Sequence, residues 1–392
     1  MYMMEIKDTG LRGVPVADTR ISAVDGEKGK LIYRGYDIDE LARYSTFEET
    51  VYLLLYETLP TQKELEIFKE TLASERQLPA GIIRHMKKRK KSAHAMDVLQ
   101  SVIPMLADFD DTARAATKAA QIKISIRLVA KMATVVAYWD RIRKNLDIIK
   151  PNEKLGAAAN FIYMLKGEIP DKETAKEFDA CLVLHAEHSF NASTFAARVV
   201  ASTRAHMYAC TGAALAALSG ELHGGANTQV MKMLLEIDRI ERVEKWINSK
   251  LDAGERIMGM GHAVYKTIDP RAKILSAISE KQAERTGNTK WFELTRKIES
   301  VTTTEFRKRK GKEIYPNVDF YSPSIYCNMG IDQDQFTPVF AVSRISGWCA
   351  HIIEEKFAEA QPKAVIYRPE AEYVGRYCGF EGCKYLPLKN RE

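Results

Sequence analysis

Apolar residues recur at helical spacing in about a dozen successive segments, and this repetition constrains the fold more than any other feature. A side chain returns to the same face of a helix every three or four positions, so each segment has one face to bury. Strand-like alternation occurs only near the start, where Asp25-Gly26 separates two short apolar runs at 21–24 and 31–33. The sequence therefore predicts an all-α protein with one small N-terminal β-hairpin.

Local signals place the boundaries of several helices. Thr46 followed by Glu49 is the pattern of a capping box, and Pro60 stops the helix that this box begins. Small residues dominate 211–218, which favours burial in the core or at a subunit interface. The other helices are predicted at 62–75, 96–107, 112–137, 153–166, 172–190, 193–219, 226–236, 240–252, 270–284, 289–306, 323–329 and 337–358.

Length and composition limit the class of protein. A chain of 392 residues exceeds the roughly 250 to 300 residues at which one core usually divides, so two domains are expected. The 58 basic and 52 acidic residues leave a net charge of +6, which favours anionic small molecules and is too weak to argue for nucleic acid. The first ten residues lack the pattern of a secretory signal, and the six cysteines form no framework. A cytoplasmic protein with reduced thiols is expected.

Two of the eight histidines lie three positions apart, at His185 and His188. On a continuous helix they share one face, so the pair can bind a metal ion or an anionic substrate, or it can be a buried structural pair. The spacing is not that of a His-Glu-x-x-His zinc site, and no third ligand is evident. All three interpretations stay open at this point.

Two further histidines lie beside glycines. His223 is followed by Gly224-Gly225, which frees the backbone and lets a ligand approach the imidazole, although an ordinary loop histidine gives the same pattern. His262 lies in a glycine-rich loop with Lys266 and, a few residues on, Arg271. Such a loop can offer a proton donor and two cations, and an arginine can hold a carboxylate through two parallel hydrogen bonds.

An aspartate and an arginine complete the set of candidates. Asp319 lies between apolar neighbours, where loss of solvation raises a carboxyl pKa toward the range of a general base, although a turn or capping role is also open. Ser322 and Pro323 favour a helix start that leaves Asp319 in the preceding loop. Arg344 interrupts an apolar helix and therefore needs an anionic partner from the protein or from a substrate, whereas His351 is interpreted as structural.

In this order and spacing, the motifs resemble the citrate synthase family, from Tyr33-Arg34-Gly35-Tyr36-Asp37-Ile38 to Arg368. The most specific are Gly-x-Gly-His-Ala-Val with Asp-Pro-Arg at 259–271, and Pro-Asn-Val-Asp at 316–319. The resemblance covers nearly the whole chain. It implies a two-domain helical fold and an acyltransferase that condenses acetyl-CoA with oxaloacetate.

The resemblance also implies roles for individual residues. His223 would hydrogen-bond the thioester oxygen of acetyl-CoA while Asp319 removes a methyl proton, and His262 would donate to the carbonyl of oxaloacetate. A carboxylate needs this help, because it is too weak a base for such a carbon acid unless the developing oxyanion is stabilised. Citryl-CoA would then be hydrolysed to citrate and CoA.

Substrate contacts follow from the same resemblance. Oxaloacetate would be held by a helix histidine, His188, and by three arginines, of which Arg271 and Arg344 come from one subunit. The third would be the partner subunit's Arg368, which makes a homodimer part of the active site. Lys266 stands where the family often has an arginine for a CoA phosphate. No cofactor, metal, nucleic acid or membrane partner is implied, and charge alone adds Lys310, within the basic residues 307–312, as a CoA contact.

Domain division and substrate choice complete the expectations. A large domain would comprise 1–222 and 327–392, and a small domain, 223–326, would close over the substrates in a dimer of the short type. Use of propionyl-CoA, as in 2-methylcitrate synthases, or of both thioesters stays open. A metal-dependent hydrolase built on His185 and His188 is the competing enzyme class, and an RNA-binding protein with basic patches is the non-enzyme alternative.

Overall fold

The computed structural model describes residues 10–11, 13–375 and 382–391; the start at 1–9, on which the absence of a secretory signal was argued, lies outside them. The predicted hairpin is present as antiparallel strands β1 (Ser22–Asp25) and β2 (Lys30–Tyr33). A short third strand, β3 (Tyr36–Asp37), pairs with β2 and was not predicted. Asp25 accepts hydrogen bonds from the backbone N–H groups of Glu27 and Lys28, which tightens the turn between β1 and β2.

Helices make up the rest of the regular structure, as predicted. Among the described residues they are α1 (Ile38–Tyr44), α2 (Phe47–Tyr56), α3 (Gln62–Ser74), α4 (Ala80–Lys88), α5 (Ala95–Met105), α6 (Lys118–Arg143), α7 (Ala157–Lys166), α8 (Lys172–His185), α9 (Ala192–Ser202), α10 (Met207–Leu218), α11 (Ala226–Ile237), α12 (Val243–Asp252), α13 (Pro270–Thr286), α14 (Lys290–Lys310), α15 (Val318–Asn328) and α16 (Phe336–Phe357). The all-α prediction is therefore confirmed.

Capping chemistry explains where several helices begin. The capping box before α2 is confirmed, since the Thr46 hydroxyl accepts from the Glu49 N–H and the Glu49 carboxylate accepts from the Thr46 N–H. The helix predicted at 193–219 is instead two helices, because His206 caps a new start at α10. Helices α1 and α4 were not predicted, and α6 begins and ends about a turn and a half later than its apolar pattern suggested.

The predicted start of α15 was wrong. The helix begins at Val318, with the side chain of Asn317 accepting a hydrogen bond from the Asp319 N–H, so Asp319 lies in the first turn and not in a loop. Pro323 is inside the helix. A proline inside a helix removes one backbone hydrogen bond, and the helix starts at the Asn317 cap and not at the Ser322 cap that the dipeptide suggested.

Helix α16 forms the centre of the larger group of helices. Every residue from Phe336 to Glu355 is buried, and α16 packs against α2, α6, α8, α9 and α10. Helices α11 to α15 pack mainly on one another, α13 against α15 and α12 against α14. The two groups meet where α13 contacts α1 and α8 and where α11 contacts α16, and the catalytic candidates lie along this junction.

The length and hydropathy of the helices and the bonding of the cysteines are two further features of the described residues. Within the described ranges, each helix is too short or too polar to cross a lipid bilayer. Cys181, Cys210, Cys327 and Cys349 are free, whereas Cys383 is disulfide-bonded. The expectation of reduced thiols is therefore wrong for Cys383.

Candidate active site

His185 and His188 do not share a helix face, because α8 ends at His185. The His185 ring stays in the core, where Nδ1 bonds to the Cys181 carbonyl at 2.8 Å and the ring packs against Phe340. The chain leaves the helix because Glu187 is bound elsewhere: its carboxylate accepts from Ser22 at 2.9 Å, and the Tyr33 hydroxyl donates to its carbonyl at 2.8 Å. The predicted shared face is thus wrong, and His188 lies in the loop after α8, at the junction of the two helix groups.

Arg344 is buried on α16 without a carboxylate partner. Its Nε donates to the His185 carbonyl at 2.6 Å, and its guanidinium lies 4.7 Å from the ring centre of Phe340. Within the described part of the chain, its two terminal nitrogens make no hydrogen bond. Burial lowers the pKa of Arg344 to about 10, so the group stays charged at neutral pH. A cation fixed in this way is suited to bind an anion that comes from outside the protein.

Arg271 is the second residue of α13 and is also buried. Asp269 caps this helix and holds the guanidinium through two hydrogen bonds, from Nε at 3.0 Å and Nη2 at 2.8 Å. Burial alone would lower the pKa of Arg271, but the Asp269 carboxylate outweighs it and the pKa is raised. Asp269 also accepts from the Val318 N–H at 3.2 Å, which ties the first turns of α13 and α15 together.

The loop before α13 fixes the proton position on His262. Its Nδ1 accepts from the backbone N–H groups of Val264 at 3.0 Å and Tyr265 at 3.2 Å, so in the neutral ring the proton lies on Nε2. Burial lowers the pKa of His262 to about 4. The Asn317 side chain donates to the Gly261 carbonyl at 2.8 Å and joins this loop to α15. His262 therefore presents a neutral N–H donor.

His223 has the opposite tautomer. Its Nε2 accepts from the backbone N–H of Ser193 at 3.3 Å and lies 2.8 Å from the Ser193 hydroxyl, which leaves the proton on Nδ1. Ser193 is in the first turn of α9, whose positive end disfavours an imidazolium. Burial, with a smaller effect of Arg344, lowers the pKa of His223 to about 4. Trp348 donates to the same hydroxyl at 3.1 Å and holds it in place.

Asp319 lies in the first turn of α15, close to both arginines. Burial raises its pKa to about 6, although Arg271 and Arg344 act in the opposite direction. Among the described residues, no group donates a hydrogen bond to its carboxylate. The carboxyl is therefore a stronger base than an ordinary aspartate and has a free oxygen to accept a proton.

These groups lie close together at the junction of the two helix groups, and we call this place the cleft. The ring centres of His188 and His262 are 5.4 Å apart. Burial, and then Arg271, His262 and Arg344, hold the pKa of His188 well below its usual range, so its imidazole is neutral. We refer to His188, His223, His262, Arg271, Asp319 and Arg344 as the cleft residues. Six of the seven predicted catalytic and oxaloacetate-binding residues are thus brought to the junction of the two helix groups.

The remaining candidates lie elsewhere. Arg368 is exposed in the C-terminal segment and makes no hydrogen bond or ion pair to the described part of its own chain. Lys266 is exposed and paired with Glu27 from the β1–β2 turn. Lys310 is exposed at the end of α14. The described ranges contain no group of three or more histidine, cysteine, aspartate or glutamate side chains placed to hold a metal ion.

Sequence reasoning missed several residues that shape the cleft. Asp269 was given no role, although an aspartate before a proline at a helix start is a recognisable N-cap signal. Tyr265 carried no signal beyond its place beside His262. Ser193 and Glu187 act through contacts between segments distant in the chain, and no local pattern indicates them.

Comparison with known proteins gives a consistent result. The family described as "Citrate synthase, C-terminal domain" matches residues 10–370. "Citrate synthase 2" of Bacillus subtilis (strain 168) is 43% identical over 383 residues, covering 97% of this chain and 98% of its own. A 2-methylcitrate synthase of Shewanella oneidensis is 35% identical and covers 99% of each chain. The solved structure of a citrate synthase from Thermoplasma acidophilum, in a ternary complex with carboxymethyl coenzyme A and oxaloacetate, has a TM-score of 0.91 and 33% identity, covering 99% of this chain and 100% of that one.

Proposed function

The chain belongs to the citrate synthase family, whose members are transferases, and we propose that it condenses acetyl-CoA with oxaloacetate and water to give citrate and CoA, the reaction that brings acetyl units into the tricarboxylic acid cycle. One observation carries the proposal: two neutral histidines with fixed and opposite tautomers lie in one cleft with a strengthened carboxylate base. Enolisation followed by addition to a carbonyl needs two hydrogen-bond donors and one base.

Oxaloacetate binds first to the cations of the cleft. It is a dianion, and Arg344 has two terminal nitrogens free while Arg271 keeps Nη1 free beside its pair with Asp269. His188 adds a neutral donor, and the partner subunit's Arg368 completes the set. The solved relative that holds carboxymethyl coenzyme A together with oxaloacetate supports a site for both substrates in this fold.

Acetyl-CoA is then enolised. Asp319 takes a proton from the methyl carbon, and the C–H electron pair moves toward the thioester carbonyl, whose oxygen receives a hydrogen bond from the Nδ1–H of His223. Because the pKa of His223 is lowered to about 4, its neutral N–H is the donor at physiological pH. A buried donor needs no reorganisation as charge develops on the oxygen, which lowers the barrier.

Addition and hydrolysis complete the reaction. The enolate carbon bonds to the carbonyl carbon of oxaloacetate, whose oxygen accepts a hydrogen bond from the Nε2–H of His262 as it gains charge. The oxygen then takes up the proton that Asp319 had removed, which gives citryl-CoA. Water then cleaves the thioester and releases citrate and CoA. Asp319 is then a carboxylate again and His262 has kept its proton, so both groups are ready for the next turnover.

Closure of the small domain over the large domain is part of the proposed mechanism. We take the predicted small domain, 223–326, as a unit that moves against the large domain, 1–222 and 327–392. It contains helices α11 to α14 and all but the last two residues of α15. The packing supports the division, because these helices contact one another more than they contact α16. Closure would bring His262 and Asp319 onto oxaloacetate held by Arg344, and would exclude water from the enol.

A homodimer is part of the proposal. Arg368 lies in a C-terminal segment that exposes Val365, Ile366 and Tyr373, and an extended apolar segment is stabilised by packing on a second subunit. Helix α10 contains no charged residue, exposes Ala216 and leaves Gly212, Ala213 and Ala217 partly exposed, and such small side chains suit close packing of helices. The cytoplasmic location expected from the sequence stays a prediction.

The CoA part of acetyl-CoA carries phosphates that need cationic contacts. Lys266 lies four residues after His262 and is exposed, so it can reach a CoA phosphate once it leaves Glu27. Lys310 ends α14 beside three further basic residues, Arg307, Lys308 and Arg309, which are all already paired with acidic side chains. These two lysines are therefore proposed as CoA contacts that contribute charge and little geometric specificity.

The testing experiment measures CoA release with oxaloacetate and either acetyl-CoA or propionyl-CoA, each as kcat/KM. A preference for acetyl-CoA is expected, since the relatives at 40 to 43% identity that we compared are citrate synthases and the 2-methylcitrate synthase is at 35%. One methylene changes binding by only about 1 to 3 kcal/mol. A propionyl-CoA preference would make the chain a 2-methylcitrate synthase, and no release with either thioester would refute the proposal. Activity that persists in excess chelator would dismiss a metal-dependent hydrolase.

A further inference from the structure

Tyr265 connects the two histidines proposed to bind oxaloacetate. Its hydroxyl lies 3.2 Å from Nε2 of His188, and its backbone N–H donates to Nδ1 of His262 at 3.2 Å. Its ring centre is 5.6 Å from that of His188 and 4.7 Å from that of His262. The side chain is only 5% exposed, so these contacts lie inside the cleft.

The hydroxyl keeps its proton in this setting. Burial raises the pKa of Tyr265, and the nearby Arg271 only partly offsets this effect. The same burial keeps the imidazole of His188 neutral. The contact is therefore a hydrogen bond between two neutral groups, and a buried hydroxyl that loses its partner pays the cost of desolvation.

The backbone on both sides of Tyr265 is held firmly. The next residue, Lys266, donates its backbone N–H to the Gly26 carbonyl in the β1–β2 turn at 2.9 Å. A Cβ on Gly26 would lie 2.2 Å from the Val264 carbonyl oxygen, so the turn and the loop meet at a contact that only glycine allows. With both neighbours fixed, the phenol has little freedom to turn away from His188.

We propose that Tyr265 is a positioning residue for oxaloacetate, which acts by holding the imidazole of His188 in its binding orientation through the hydroxyl. The inference rests on the proposed function and adds a residue to which the resemblance assigns no role. The side chain and the backbone have separate tasks: the hydroxyl orients His188, whereas the N–H that sets the tautomer of His262 is present whatever the side chain. Loss of the hydroxyl should therefore weaken oxaloacetate binding and leave the chemical step nearly unchanged.

The test compares Tyr265→Phe with the wild type by titration calorimetry with oxaloacetate and by CoA release. The Kd and KM for oxaloacetate should rise about tenfold, because one buried hydrogen bond is lost, while kcat stays within about twofold. Tyr208→Phe is the matched control: Tyr208 is a buried tyrosine whose hydroxyl donates to Asp110 at 2.6 Å, away from the cleft. This control should change neither Kd nor KM.

A double-mutant cycle separates positioning from packing. If the hydroxyl acts through the imidazole, adding Tyr265→Phe to His188→Gln should raise Kd by less than about twofold. Tyr265→Leu, which also removes the ring, should raise Kd at least as much as Tyr265→Phe and additionally lower kcat, because the His262 ring loses its packing. This variant serves if Tyr265→Phe folds poorly.

Each outcome is decisive. Wild-type Kd in both Tyr265 variants, or equal effects of Tyr265→Phe with and without His188, would overturn the inference. A wild type that binds oxaloacetate but releases no CoA would refute the proposed function, and the titration of Tyr265→Phe would still decide the role of Tyr265. The inference is supported if oxaloacetate binds more weakly to the Tyr265 variants than to the wild type and Tyr208→Phe, and if Tyr265→Phe has little effect in the His188→Gln background.

Discussion

Arg198 on α9 and Arg344 on the central helix α16 are both buried, and their surroundings differ. Arg198 lies 2.7 Å from Glu354 and 2.7 Å from Glu355, and it donates to Nδ1 of His351 at 3.0 Å. Arg344 has one backbone carbonyl and an aromatic ring. Ion pairing raises the pKa of Arg198 despite burial, whereas burial lowers the pKa of Arg344 to about 10. We call Arg198, His351, Glu354 and Glu355 the Arg198 cluster.

Glu187 lies between the Arg198 cluster and Arg344. It is fully buried between them, and its Oε1 accepts from His351 at 3.0 Å and from Ser22 at 2.9 Å. The carboxylate is therefore hydrogen-bonded to the Arg198 cluster, and it acts on Arg344 only through space, without an ion pair. Removing one partner of a buried ion pair destabilises the fold, because the other charge is left buried and unpaired, whereas a buried charge that has no ion pair is available to a ligand.

Asp319→Asn gives the largest expected effect and acts on the cleft alone. It removes the base while keeping the size of the side chain, so kcat should fall by about 10² to 10⁴. Stability should not fall at neutral pH, because a buried carboxyl with a raised pKa destabilises the fold when it is ionised. CoA release and thermal unfolding measure the two effects.

Asp179→Asn is the matched control for that variant. Asp179 on α8 is also a carboxyl whose pKa burial raises, to about 8, and it accepts from the Phe47 N–H outside the cleft. Activity should stay near that of the wild type. More than a tenth of wild-type turnover in Asp319→Asn would refute the assignment of the base.

Arg198→Met should disrupt the Arg198 cluster and lower the stability of the fold. It leaves Glu354 and Glu355 buried without a cation, which costs about 3 to 5 kcal/mol of unfolding free energy. The KM for oxaloacetate in the folded fraction should change by less than about threefold, because the cluster and the cleft are separate networks. Denaturant unfolding measures the loss. An unchanged midpoint would show that the pairs in the Arg198 cluster do not stabilise the fold.

The pH dependence of catalysis tests the electrostatics of the cleft. The pKa of Asp319 is raised to about 6, and those of His223 and His262 are lowered to about 4. Of these three groups, only Asp319 changes charge between pH 7 and pH 5, so kcat/KM should fall about tenfold over that interval as the base is protonated. A profile that is flat to pH 5 would contradict the raised pKa.

The CoA contacts give the smallest expected effect. Lys266 is 73% exposed and already paired with Glu27, and exposed pairs contribute little. Lys266→Ala and Lys310→Ala should each raise the KM for acetyl-CoA by about two- to fivefold, with unchanged kcat. Lys281→Ala, an exposed lysine on α13, is the control. No change in either variant would remove these lysines from the proposed site.

The cleft residues were largely predictable from the sequence, because His223, His262 and Asp319 lie in short motifs with glycine or a helix start beside them. Helix ends were less predictable. The α8 pattern continued past His185, but Glu187 is drawn out of the helix by Ser22 and Tyr33, which lie more than 150 positions earlier in the chain. The start of α15 depended on a choice between two caps, which local sequence did not decide.

Tautomers were beyond the reach of the sequence. The proton positions on His223 and His262 follow from backbone N–H groups of Ser193, Val264 and Tyr265, and no pattern of residue types specifies such directions. The Arg198 cluster was also missed, since its members come from α9 and α16. His351 alone was interpreted correctly as structural, from its place on an apolar helix.

The most direct test of the account titrates oxaloacetate into the wild type, Arg344→Met and Arg198→Met, with thermal unfolding measured on the same samples. Removing the cation that has no ion pair should weaken oxaloacetate binding at least about 100-fold without lowering the unfolding midpoint. Arg198→Met should bind oxaloacetate and unfold at a lower temperature. Wild-type affinity in Arg344→Met would contradict the claim that its unpaired charge is the binding site of the dianion.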